Sequence, residues 1–141
     1  MKKKSTGDLR QELMDQPNLD AYIHENQAYF LEKNVTELLA QMYGRKDISK
    51  AELARCAGIS EVYIHQVFSG RRRPSRDRLV CICIGLKATL DEAQELLKQA
   101  GYAQLYPKNK REAIIAHGII HGTALAEIND KLFTENEKTL F

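Results

Sequence analysis

The chain is predicted to be all-α. Apolar residues recur at three- and four-residue spacing along most of its 141 positions. Ser, Thr or Asn stands immediately before several of these periodic segments, and glycines 44, 58, 70 and 101 close them.

Residues 1–6 form a short basic lead. From Asp8 the spacing of Leu9, Leu13 and Met14 predicts a helix that Pro17 ends. Asn18 caps a segment carrying Leu19, Tyr22 and Ile23, and a further short stretch holds Tyr29, Phe30 and Leu31. The apolar edges of this first third need something to lie against. Val35, Leu38, Leu39 and Met42 then recur as i, i+3, i+4, i+7 up to Gly44. Ser49 with Glu52 predicts a capping box, Leu53 faces inward, and Gly58 closes this helix after little more than two turns. Ser60 caps the next helix at once, with Ile64, Val67 and Phe68 on its inner face and Gly70 at its end. Two short helices joined by a tight turn containing Gly have the geometry of a helix-turn-helix.

Beyond Arg71-Arg72-Arg73-Pro74-Ser75, residues 76–86 are apolar nearly all round and are predicted to be the centre of the core. Thr89 and Glu92 form a second predicted capping box, opening a helix that runs to Gly101. After a connector from Tyr102 to Pro107, two more helices carry Ile114, Ile115, Ile119 and Ile120, then Leu125, Ile128, Leu132 and Phe133. Leu79, Val80 and Ile84 fall on Ile114, Ile115 and Ile119 at an offset of 35, the spacing of a repeated helical hairpin.

Bulk properties narrow the function. Hydrophobic residues make up 43% and charged residues 28% of the chain, and no apolar run is long enough to cross a bilayer. No apolar stretch follows Lys2, Lys3 and Lys4, so the protein is expected to stay in the cytoplasm. Cys56, Cys81 and Cys83 offer no CxxC and are expected as buried small apolar residues without a disulfide. Between Gly44 and Arg78 nine Lys or Arg stand against four acids, leaving +5, whereas the remainder holds 12 basic and 15 acidic residues, or −3. A basic block in an otherwise acidic chain is the footprint of a polyanion partner, because each neutralised phosphate releases condensed counterions.

The stretch from Ile48-Ser49-Lys50-Ala51-Glu52-Leu53-Ala54 through Ala57-Gly58-Ile59-Ser60, continuing Ile64, Gly70, Arg72 and Pro74-Ser75, resembles the phage-repressor and Cro-like (XRE) helix-turn-helix family. The resemblance covers about Val35 to Leu90 and implies a five-helix DNA-binding module. Three regions are expected: 1–34 as a lead with short helices, 35–90 as the DNA-binding domain, and 91–141 as a helical extension offering a dimer or partner surface, the roles of the flanking regions not being implied by the module. The sequence departs from the family pattern at Phe68, where many members carry Glu, and at Val62 and Tyr63, where polar residues are usual.

In such modules the second motif helix enters the major groove. With Ile64 turned inward, a rotation of 100 degrees per residue turns Val62, His65, Gln66 and Ser69 outward, with Glu61 on the leading turn. These are the expected base-reading residues: Gln66 suits adenine, Glu61 suits cytosine N4 and Val62 suits a thymine methyl. Lys50, Ser60, Arg71, Arg72, Arg73 and Arg76 are the expected phosphate contacts, with Arg78 a weaker candidate.

His117 and His121 stand four apart on a predicted helix, a spacing that can hold zinc, but no companion Glu or third ligand accompanies them. A structural or interface role is expected instead, with no metal or cofactor. Tyr102 and Tyr106 are expected as packing residues of the connector. No nucleophile triad, phosphate-cradling loop or paired acid site emerges, so an enzyme is not expected. The leading expectation is a sequence-specific regulator, a homodimer on double-stranded DNA. The alternative is a protein-interaction adaptor or antitoxin-like partner that keeps the fold and binds protein through Val62, Tyr63 and the C-terminal hairpins.

Overall fold

The computed structural model describes residues 4–26 and 31–141. Among them it is helical, with nine helices and no strand. Met1–Phe30 and Leu31–Phe141 form two compact units.

In the first unit, Ser5 caps α1 (Thr6–Asp15) in a full capping box with Asp8, so the helix begins two residues before the expected Asp8. Pro17 separates it from α2 (Leu19–Glu25), which Asn18 caps through the Ala21 N–H. The centre of this unit is polar. Buried Asn26 donates to Glu12 Oε2 at 2.9 Å and accepts from Lys4 Nζ at 2.9 Å. Leu13, Met14, Leu19 and Ile23 remain exposed, since two short helices cannot enclose an apolar core. Tyr29 and Phe30, expected on a stretch of their own, lie outside the described residues; Leu31, expected with them, instead opens α3 (Leu31–Gly44).

The second unit continues through α4 (Lys50–Ala57), α5 (Glu61–Phe68), α6 (Arg76–Gly85), α7 (Leu90–Gln99), α8 (Lys110–Ile120) and α9 (Leu125–Thr134). Helix α6 is the hub, as its all-round apolar sequence predicts. Every residue from Leu79 to Gly85 is buried, and α6 packs against α4, α7 and α9. Gly85 permits the α4 crossing: a Cβ there would lie 3.0 Å from Leu53 Cδ1 and 3.2 Å from the Ala57 backbone N. Helix α3 closes one side against α5 and α7, and α8 lies on α7 and α9.

Burial at Cys81 and Cys83 pushes their thiols up to about 11 and about 12, so both stay protonated and act as small apolar residues. Cys56 corrects the expectation of three buried cysteines. It is exposed, because the buried arc of α4 is Leu53, Ala54 and Ala57 and position 56 falls outside it. The capping box expected at α4 is also only half made. Ser49 accepts from the Glu52 N–H at 3.1 Å, but the Glu52 carboxylate turns to Arg55 at 3.7 Å.

The repeat inferred at offset 35 has a structural counterpart. The limits of α6–α7 recur in α8–α9 at 35 residues, one fewer at the start of α8. Equivalent first turns cross-pair: Arg76 of α6 meets Glu112 of α8 at 2.7 Å, and Arg111 of α8 meets Asp77 of α6 at 3.1 Å. Arg111 also donates to the carbonyls of Lys138 and Thr139, while Asn129 Oδ1 accepts from the Leu140 N–H at 2.7 Å. These bonds strap residues 138–140 to the fold and bury Leu140.

Candidate nucleic-acid interface

The helix-turn-helix is built by two caps and one left-handed residue. Gly58 ends α4 at φ 65°, a conformation that favours glycine, and Ser60 opens α5 by accepting from the Tyr63 N–H at 3.1 Å. A Cβ at position 58 would also approach Phe141 Cε1 to 3.0 Å, so the turn is restricted by space as well as by backbone angle. With Tyr63, Ile64 and Val67 buried, α5 is held in one rotation about its axis.

That rotation leaves Glu61, Val62, His65 and Ser69 exposed, Val62 at 68%. Glu61 and His65 sit one turn apart, 3.6 Å between carboxylate and imidazole. The Ser69 hydroxyl donates to the Gln66 carbonyl at 3.0 Å. Gln66 is half-buried, and its side-chain oxygen accepts from Arg72 Nε at 2.8 Å.

The expected phosphate residues divide into three groups. Arg71 is exposed, with no side-chain partner among the described residues, and Ser60 stands exposed at the α5 N-terminus. Lys50 and Arg72 are exposed or half-exposed but held by aromatic rings. Lys50 Nζ lies 4.7 Å from the Tyr43 ring centroid and 5.3 Å from that of Phe68, and the two rings meet edge to face at 5.4 Å. Phe68, where the family pattern has Glu, therefore completes an aromatic cradle for a cation, a contact worth about 0.5–1 kcal/mol at an exposed site. The third group is tied to the chain after α7. Arg73 donates to the Ala100 carbonyl at 2.8 Å and lies over Tyr102, whose hydroxyl donates to the Pro74 carbonyl at 2.6 Å. Arg76 donates to the carbonyls of Ala103 and Gln104 and pairs with Glu112, so its guanidinium organises the connector.

Sequence reasoning missed the role of Tyr63. Its ring carries the Arg72 guanidinium at 5.1 Å and that of Arg78 at 4.5 Å. The available signal was an aromatic residue at a position the family fills with polar ones. The His117 and His121 rings lie 4.3 Å apart between centroids, tilted by 43°, at the exposed end of α8, and no group of three metal-ligating side chains occurs among the described residues. Among the described residues no helix is long and apolar enough to cross a membrane.

Residues 35–96 match a family model described as a helix-turn-helix domain. No curated protein and no solved structure matches the chain. The match begins inside α3, ends inside α7 and contains both caps and Gly58. Sequence motif, local geometry and family model thus agree that this chain carries a helix-turn-helix domain, consistent with its resemblance to the phage-repressor and Cro-like regulators.

Proposed function

We propose that the protein is a sequence-specific regulator that binds double-stranded DNA by placing α5 in the major groove. The observation that carries this reading is the solvent-facing row on α5, Glu61, Val62, His65 and Ser69, flanked by Lys50, Arg71 and Arg72 with no carboxylate in ion-pair range of those three cations among the described residues. Side chains in the row meet base edges, while the flanking cations and the Ser60 end of α5 meet backbone phosphates. Gln66 lies beside the row with its amide oxygen bound to Arg72. A homodimer would read two half-sites about one helical turn apart, with the C-terminal helices supplying a dimer or partner surface.

Selection of bound sequences from a random DNA pool, followed by titration at several salt concentrations, tests the reading. A recovered consensus and an affinity falling linearly with salt on logarithmic axes are expected. Absence of both would remove it. One observation favours a protein-binding adaptor as the second reading: Val62 exposes two thirds of its surface at the centre of the candidate row. A protein partner lost on Val62→Ser, in a chain that binds no DNA, would establish that alternative.

A further inference from the structure

We infer that Tyr63, Arg72, Arg78 and Gln66 form a preassembled clamp for a DNA backbone phosphate, in which Gln66 is a positioning residue and reads no base. This inference rests on the DNA-binding reading of α5.

The argument starts from charge. Two guanidiniums sit on one aromatic ring, Arg72 at 5.1 Å and Arg78 at 4.5 Å from the Tyr63 centroid. Guanidiniums repel one another, and such a pair is ordinarily compensated by a carboxylate. Among the described residues neither Arg72 nor Arg78 has a carboxylate in ion-pair range, although Asp77 is adjacent to Arg78 in the chain. Asp77 is directed to Arg111 instead. The ring supplies partial compensation through its negative face, and it fixes the two planar donors without using their N–H groups. Apart from Arg72 Nε–H, which Gln66 takes, those donors remain for an anion with several acceptor oxygens, the chemistry of a phosphate.

Gln66 completes the assembly. Its Oε1 accepts from Arg72 Nε at 2.8 Å, and its main-chain carbonyl accepts from the Arg72 N–H at 3.2 Å. The side chain is half-buried, and its acceptor is already used on the nearest cation. Bidentate recognition of adenine requires both the oxygen and the amino group of a Gln side chain. A Gln66 turned to adenine would release Arg72 from its anchor.

The test is binding by the full chain to two DNA duplexes, one carrying the consensus selected by the wild type and one of scrambled sequence. For Gln66→Ala, equal fractional loss on both duplexes and an unchanged selected consensus are expected. For Arg78→Gln, the loss should again be equal on both, with the salt slope reduced by about one. Tyr63→Phe should retain the wild-type slope, because the ring remains. Tyr63 is buried, so Tyr63→Leu is read only if its helical content and melting midpoint match the wild type; it should then lose slope as Arg78→Gln does. A Gln66→Ala variant that relaxes the preference at one base pair while keeping its affinity for scrambled DNA overturns the clamp alone. An Arg78→Gln variant with unaltered slope also overturns it. A wild type that binds neither duplex removes the DNA reading together with the clamp.

Discussion

The two hairpins α6–α7 and α8–α9 share helix limits and an apolar pattern, yet they have opposite surroundings. Helix α6 is enclosed by α4, α7 and α9, whereas α8 packs against α7 and α9 and meets α6 through the polar side chains of its first turn. The effect shows at equivalent positions. Leu79 is fully buried, while its counterpart Ile114 is half-buried and lines an open groove of about 640 Å³ with His117, Gly118 and Ile128. Ile120 and Phe133 on the second hairpin are 58% and 77% exposed. The same pattern therefore gives a core in one place and a surface in the other, and position in the stack decides which.

The most severe way to break this comparison is to empty equivalent sites. Leu79→Ala should cost about 3–4 kcal/mol, because a fully enclosed leucine leaves a cavity that its neighbours cannot fill. Ile114→Ala should cost about 1 kcal/mol, because the lost methyls already border solvent. Denaturant unfolding of both variants measures the difference, and equal losses would mean that the second hairpin is as tightly enclosed as the first.

The crossed pairs come next. Arg76–Glu112 and Arg111–Asp77 tie the two hairpins at equivalent first turns, with side chains between 15% and 28% exposed. Asp77→Asn should cost about 1–3 kcal/mol by weakening the bonds to a largely enclosed guanidinium. The Arg111 bonds to Lys138 and Thr139 keep the loss below that of the core variant. A double-mutant cycle of Asp77→Asn with Arg111→Gln isolates the pair, and a coupling near zero would reduce the crossed arrangement to surface decoration.

Much of this arrangement was legible in the sequence, and the reasons are local. A cap bonds three residues ahead and an apolar stripe repeats within one helix, so Ser60, Thr89, Gly58 and the all-apolar α6 announce themselves at short range. Partners brought together by the fold do not. Arg76 reads as one more cation of a basic block, but residues 27 and 28 positions later claim its donors. Arg73 is likewise drawn to Ala100, and Leu140 packs through Asn129 and Arg111. Within the candidate interface, rotation about α5 turns Val62, His65, Gln66 and Ser69 outward with Glu61 on the leading turn, and of these Gln66 alone is half-buried. The rotation does not reveal that Gln66 is bound to Arg72, because that bond depends on the path of the chain after Gly70.

A smaller contrast lies at the two second-helix caps, again 35 residues apart. Thr89 accepts from the Glu92 N–H at 3.1 Å, whereas Ala124 holds the same extended backbone angles with no side-chain acceptor. Thr89→Ala should cost about 1 kcal/mol, and Ala124→Ser should gain about 0.5–1 kcal/mol by supplying the missing bond. Melting midpoints that move in opposite directions would make the two hairpins more alike, and an Ala124→Ser variant without gain would show that its first turn is already satisfied by solvent.

The least effect belongs to the other half of the Thr89 box, and pH reveals it. The Glu92 carboxylate accepts from the Thr89 N–H at 2.9 Å, and this bond, aided by Lys46 and Arg45, holds its pKa below the ordinary glutamate value. A group lowered in the folded state binds its proton more readily when unfolded, so its contribution is present above the unfolded pKa and is lost as pH falls through the folded one. Glu92→Gln should therefore be less stable than the wild type at pH 7, and the gap should narrow between about pH 5 and pH 3 as the wild-type carboxylate protonates. Thermal unfolding of both proteins across that range provides the measurement. A gap that stays constant to pH 3 would mean that the charge on Glu92 is immaterial and that only the shape of the box holds α7 in place.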